Sequence, residues 1–412
     1  MKRLVALLLG WTAICAGARA QEVIDDLDRA LTFSTANDQI RGRLSGTLDL
    51  EGYYFRNGDP GLIYSSNQLL FNPRLTFFFD GQLGPAVYVF VQTRIDRGFD
   101  PGEEKLEVRL DEYALRYTPW EDGRFQLQIG KFATVVGNWV ERHLSWDNPF
   151  IGAPLPYENV TGMWDIQAAP DLWQLRAWAY LDPMQRGQSE HADKRLRLPI
   201  IWGPSYTTGA SVSGKYGFFE YAAEVKNASL SSRPEQWAPT DRAWEQPTFS
   251  GRISYHPNPT WEFGLSASEG SYLNHKAISR VAPLDAYRQI VLAQDFSFAW
   301  HHLQIWAEAF ESRFENPAVG DADVYSYYVE AKYKFTPRFF GAIRWNQEWY
   351  GHLSEGDELI SQPWGHDTWR TDVAAIYRLT ENAQLKAQYT YQHSSLGETE
   401  NHTCALQMTV RF

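Results

Sequence analysis

From Arg43 to the end, apolar and polar residues alternate along the chain in stretches of about 9–12 residues, the length a tilted strand needs to cross a bilayer. Side chains two apart share one face of a strand, so each stretch predicts an apolar face backed by a polar one. Leu44, Leu48, Leu50 and Tyr54 oppose Ser45, Thr47, Asp49 and Glu51. Phe71, Leu75, Phe77 and Phe79 oppose Asn72, Arg74 and Thr76, and Val87, Val89, Val91 and Ile95 oppose Gln92, Arg94 and Asp96. Late in the chain Ala383, Leu385, Ala387, Tyr389 and Tyr391 oppose Gln384, Lys386, Gln388 and Gln392. The final strand sets Leu406, Met408, Val410 and Phe412 against Ala405, Gln407, Thr409 and Arg411. The phase breaks near 106–117 and 285–299, which predicts bulges there. Ahead of the strands, Val23, Ile24, Leu27, Ala30 and Leu31 keep helical spacing, so 22–40 reads as a short helix or lead-in.

The connections sort by length. Tight turns are expected at Asp80–Gly84, Pro119–Gly123, Ala169–Asp171, Tyr216–Phe218, Pro257–Thr260, Ala299–His301, Thr336–Arg338 and Thr380–Asn382. Between them lie longer polar connections near 56–67, 97–105, 131–161, 182–205, 229–247, 271–284, 313–322, 351–366 and 395–399. The reading is an all-β transmembrane antiparallel β-barrel of sixteen to eighteen strands, with eighteen the best count. An even number puts both termini on the tight-turn side. A soluble sandwich also alternates, but its strands are shorter and its loops are not sorted by length.

Composition agrees. Mean hydropathy is -0.43, as expected where lipid-facing and lumen-facing residues average out. Aromatic residues make up 15% of the chain, with 17 Trp and 22 Tyr, enough for rings at two membrane interfaces. Met1-Lys2-Arg3, the apolar run Leu4–Ile14 and Ala18-Arg19-Ala20 form a signal peptide over 1–20, followed by a periplasmic segment over 21–41 and the barrel over 42–412. Cys15 leaves with the leader, so Cys404 has no intrachain partner. The formal net charge is -12, and losing Lys2, Arg3 and Arg19 makes it -15, which gives nucleic-acid binding no support.

A strand that stops on Phe412 resembles the closing strand of Gram-negative outer-membrane barrels. The resemblance implies an outer-membrane location, surrounding lipid, and Phe412 as the signal read by the barrel-assembly machinery. Gln128-Ile129-Gly130-Lys131-Phe132 resembles the strand-ending segment of the phosphate-selective porin O/P family. In general porins the third external loop, after the fifth strand, folds inward and narrows the pore, and residues 131–161 hold that position. The resemblance implies passive diffusion of small hydrophilic solutes or ions and a homotrimer. The Lys-rich lining of the anion-specific members has no match here.

Segment 131–161 is too apolar and aromatic for an exposed flexible loop. It is expected to pack, either inside the lumen or over the mouth. Trp139, Glu141, Arg142, His143, Trp146, Asp147, Tyr157 and Glu158 are the candidate constriction residues. Trp139, Trp146 and Tyr157 either offer flat faces to sugar rings or, more simply, pack the loop. Arg74, Arg94, Arg109 and Arg116 face inward on neighbouring strands, with Asp96 and Asp111. They either form a basic stripe that favours anions or, the more ordinary outcome, pair with Asp96, Asp111 and Glu112. No zinc-spaced cluster, phosphate-cradling glycine motif or nucleophile elbow occurs, so neither cofactor nor catalytic residue is assigned. An outer-membrane barrel enzyme, with His393-Ser394 as its weak pointer, and a barrel sheathing a partner protein are the alternatives.

Overall fold

The structure is a computed structural model. It describes residues 29–412 except 36, 59, 66, 98–105, 180–193, 195, 240–243, 355–360 and 396–398. The signal peptide and most of the expected N-terminal helix lie outside the described residues. Sixteen antiparallel strands close into a barrel: β1 (Ile40–Phe55), β2 (Leu69–Leu83), β3 (Val87–Asp96), β4 (Glu107–Tyr117), β5 (Gln126–Phe132), β6 (Thr207–Tyr216), β7 (Phe219–Lys226), β8 (Thr248–Asn258), β9 (Trp261–Ser271), β10 (Arg288–Trp300), β11 (Leu303–Asn316), β12 (Gly320–Lys334), β13 (Phe339–Tyr350), β14 (Thr368–Arg378), β15 (Ala383–Ser394) and β16 (Thr399–Arg411). A seventeenth, Thr32–Ser34, pairs with the start of β1 where helical spacing had pointed to helix.

The molecule is inside out relative to a soluble protein. Leu69, Phe71, Ile129, Leu265, Leu292, Ile343 and Leu406 are exposed, whereas Asp49, Glu51, Glu330, Arg344 and Asp372 are buried. A sheet that faced water outward would reverse this pattern. One aromatic ring belt lies near the tight turns, with Trp261 against Phe298 and Tyr333 against Phe335. A second lies near the long loops, where Trp345 stacks on Trp369 and Tyr327 on Trp349. The two belts sit where a bilayer's polar interfaces would meet the wall.

β16 closes onto β1, from Thr403 opposite Phe55 to Arg411 opposite Thr47. Phe412 and Gly46 exchange both backbone hydrogen bonds, each at 2.9 Å. The Phe412 ring lies over Gly46, where a Cβ would come within 2.6 Å of it. Glycine at 46 is therefore a requirement of the seam.

Three expectations change. The sixteen strands fall within the expected sixteen to eighteen but below the best count of eighteen, because Leu172–Ala179 is a helix, α2 in chain order, with Leu172, Leu175, Trp178 and Ala179 buried at helical spacing. Asp171, read as part of a tight turn, caps this helix by accepting the Gln174 N–H at 2.7 Å. The connection 313–322 is a short turn, since β11 runs to Asn316 and β12 starts at Gly320. Asn316 Oδ1 holds it by accepting the Ala318 N–H at 2.9 Å, and Gly320 supplies a φ of 102°. The bulge expected near 106–117 is present, with the β3–β4 register shifting beside Gln92 and Thr93. The one near 285–299 is not, since β10 pairs without a shift on both sides. Its phase breaks because inward-facing Val291 and Ala293 are apolar, and they are apolar because they pack against the loop inside the barrel.

Candidate functional site

The connection after β5 runs from Ala133 to Tyr206, longer than the expected 131–161, because the supposed strands after 161 belong to it. Its described residues pack against the inner face of the barrel and against the other long connections. Its apolar residues, among them Val136, Trp139, Tyr157, Leu198, Ile200 and Trp202, share one core with inward-facing Val291, Phe310, Phe314, Val324 and Tyr328 of the wall. Short helix α1 (Leu155–Glu158) and helix α2 lie within it. The loop doubles back on itself: Leu198 N–H donates to Met163 O at 2.8 Å, and Trp164 stacks on Trp178 at 4.1 Å. Asp165 and Arg176 are residues of this loop, and they bind Arg233 and Gln362.

Charged wall residues fasten the loop. Glu308 accepts the backbone N–H groups of Asn138 and Trp139 and the Tyr157 hydroxyl, the last at 2.8 Å. Arg142 pairs with Glu330, donates to the Tyr328 hydroxyl at 3.0 Å and lies over the Trp306 ring. Arg370 pairs with Glu158, and Lys386 donates to the carbonyls of Ser145 and Asn148. Arg344 donates to the carbonyls of Gly152 and Ala153, both at 3.1 Å. Each contact answers a backbone or charged group that burial in a dry site would otherwise penalise.

Between loop and wall, against β1–β3, lies a cavity of about 110 Å³. Its wall side carries Asp49, Arg74, Gln92 and Arg94, and its loop side carries Trp139, His143, Tyr157, Glu158 and Tyr206. Of the expected constriction residues, four therefore meet there. Arg142 faces the far wall, Glu141 and Asp147 are exposed, and Trp146 lies beneath the Arg411 guanidinium at 4.1 Å.

The arginines are paired. Arg74 contacts Asp49 at 3.3 Å and Glu51 at 2.6 Å. Arg94 contacts Asp96 and Asp111 at 3.1 and 3.2 Å, and Arg109 reaches the same two at 3.5 and 3.8 Å. Arg116 instead donates to Gln128 and lies over the Tyr88 and Phe90 rings, while Glu112 accepts the Ala133 N–H. The acids are at most 2% exposed and Arg74 and Arg94 are 15% and 17% exposed, so guanidinium edges front a compensated layer of charge.

His143 is held as a neutral tautomer. Its Nδ1–H donates to Val140 O and its Nε2 accepts the Tyr206 hydroxyl, both at 2.5 Å, while Gln92 donates to the same hydroxyl. Burial pushes its pKa down to about 4. A neutral imidazole is thus favoured in the folded chain, and the unfolded chain binds its proton first. The contribution to stability is complete above the ordinary His value near pH 6.5 and is lost as pH falls toward 4, about 3 kcal/mol in all. Conductance noise is expected to rise over that pH window and to be blunted in H143Q. Identical acid responses of the two proteins would remove His143 as the cause.

The Gly130-Lys131-Phe132 segment has a local explanation. Gly130 adopts a φ of 145°, and a Cβ there would fall 2.1 Å from Tyr113 O. Lys131 Nζ donates to Leu110 O at 2.7 Å, and Phe132 packs under Lys226.

The fastening residues Glu308, Glu330, Arg344, Arg370 and Lys386 have the inward phase in sequence, yet nothing local distinguishes a wall charge that holds a loop from one that meets water. No family model matches the chain, and no curated protein matches it. Solved structures do. The outer-membrane channel DcaP of Acinetobacter baumannii aligns with a TM-score of 0.57 at 11% identity, over 92% of this chain and 99% of that one. OmpF of Salmonella typhi, in complex with daunomycin, aligns at 0.55 and 12%, over 92% and 100%. An anion-selective porin from Comamonas acidovorans aligns at 0.53 and 10%, over 90% and 100%. At such identities the likeness is one of fold, and the chain has the fold of outer-membrane porins.

Proposed function

We propose that this protein is a diffusion porin of the outer membrane, passing small hydrophilic solutes or ions through the narrow space between the folded loop and β1–β3. The observation that carries the reading is the cavity there, lined by Arg74, Arg94, Gln92 and Asp49 on one side. Polar and charged groups on that wall suit hydrated solutes, and the volume admits only a few waters at once. Loop residues Trp139, His143, Tyr157 and Glu158 form the constriction in this reading. The exposed guanidinium edges give a mild preference for anions, held small by the acids directly behind them.

Transport is passive and the protein is not an enzyme in this proposal. A lumen occupied by its own loop leaves little room for a sheathed partner, which disfavours that alternative. Export by the leader, assembly through Phe412, a homotrimer and kinship with the phosphate-selective O/P porins belong to the same proposal and rest on the sequence resemblance. Planar-bilayer recording of the purified protein tests it. Small ohmic steps are expected, together with swelling of proteoliposomes in glycerol but not in sugars. A silent protein that fails to swell liposomes would overturn the reading.

A further inference from the structure

The arginine stripe of β2–β4 draws attention first, yet each of its ion-paired members stands against carboxylates. A different set of cations does not. Arg411 of β16, Arg378 of β14 and Lys332 of β12 face inward at the tight-turn end of the lumen, near where these strands end. They rest on aromatic rings. Arg411 lies over Trp146 at 4.1 Å, and Arg378 lies between Trp146 at 5.7 Å and Phe340 at 5.0 Å. Lys332 lies over Phe340 at 5.3 Å. Among the described residues, no carboxylate stands within 4.0 Å of these three cations.

Asp147 and Glu381, both exposed, act on Lys332 or Arg411 from farther away, as does Glu330, which Arg142 and Arg344 already engage. The terminal residue Phe412 is held on β1 through Gly46. Lys332 also lines a cavity of about 260 Å³ with Lys334, His301, His302 and Gln304, and none of its lining residues is acidic.

Stacking leaves a guanidinium's N–H edge in the ring plane and open to a planar acceptor. Arg411 spends one Nη2 donor on Glu381 O at 3.0 Å, whereas the buried Arg378 Nε has no hydrogen-bond partner among the described residues. Cations without a carboxylate beside them also project more of their field into the lumen than the compensated stripe does. We propose that this cluster sets the charge selectivity of the lumen and is a binding station for small organic carboxylates. The selectivity part rests on the channel reading given above. The binding part does not.

The test compares R378Q/R411Q with wild type in planar bilayers under a KCl gradient. The chloride-over-potassium permeability ratio is expected to fall about threefold, a change of the size expected for removing two charges at partly screened distance. R378K/R411K is expected to keep the wild-type ratio, which separates charge from loss of folding. R94Q/D111N, which removes a compensated pair, is expected to change it by less than half as much. A double Gln variant that keeps the wild-type ratio overturns the selectivity claim. Citrate binding by titration calorimetry to the detergent-solubilised barrel tests the station directly. Affinity is expected to drop at least tenfold in R378Q/R411Q, and equal affinities overturn it. If the wild type conducts nothing yet binds citrate through this cluster, the channel reading fails and the station stands.

Discussion

Replacing residues 139–157 by a short Gly-Ser linker is expected to raise single-channel conductance several-fold and to lift the solute size limit. A barrel of sixteen strands encloses a channel wide enough for water unless chain fills it, and here described residues of the 133–206 connection pack within it. The excised stretch carries Trp139, Val140, Phe150, Ile151, Leu155 and Tyr157, all buried. Its removal leaves the strand ladders intact, because the loop meets the wall through side chains and its own backbone groups. The barrel is therefore expected to fold, with Phe310 and Tyr328, which Tyr157 and Arg142 meet, newly open to lumen water. Exposing them costs about 1.5–3 kcal/mol per side chain, and the sheet is expected to tolerate this at a lower melting temperature. Unchanged conductance in a folded deletion variant would show that solutes never pass beside this segment.

The barrel was legible because its signal is periodic and repeated. Every strand that faces lipid on one side and the lumen on the other must alternate, and the seam at Phe412 follows from the same rule. Legibility stopped where the lumen is dry. β10 lost its phase because Val291 and Ala293 face a packed loop instead of water, so an inward residue ceased to look polar. Residues 162–181 were read as two strands because alternation and helical spacing overlap in short apolar runs. The Asp171 cap was the local clue that favoured helix.

The site divided in the same way. Pairing of Arg74, Arg94 and Arg109 with acids followed from strand register, which the sequence pattern already implied. The contacts of Glu308, Arg344 and Lys386 with loop backbone join residues more than 150 positions apart. No periodicity encodes such contacts. They depend on where the loop settles, and the loop settles by three-dimensional packing.

Replacing Arg344 by methionine is expected to cost about 3–5 kcal/mol of stability and to make the open channel noisy, because a buried charge network loses one member. Arg344 is wholly buried. Its Nε donates to Asp372 at 2.9 Å, its Nη1 stands 3.5 Å from Glu330, and its guanidinium lies over the Phe150 ring at 4.3 Å. It also satisfies the carbonyls of Gly152 and Ala153, so one side chain ties β13 to β14, β12 and the loop. Methionine fills the volume but returns none of these hydrogen bonds: Asp372 and two carbonyls lose a donor, and Glu330 loses a charge neighbour. Asp372 retains Arg370 and Thr390, and Glu330 retains Arg142, so the barrel is expected to fold while the loop loosens. R344K is expected to fall between the two, since an ammonium restores charge without the fork that reaches wall and loop together. R344M/D372N is expected to add to the loss, since the second change also takes a carboxylate from buried Arg370. Thermal unfolding and current noise of the three variants measure both effects, and an R344M protein as stable and as quiet as the wild type would show that the loop is held elsewhere.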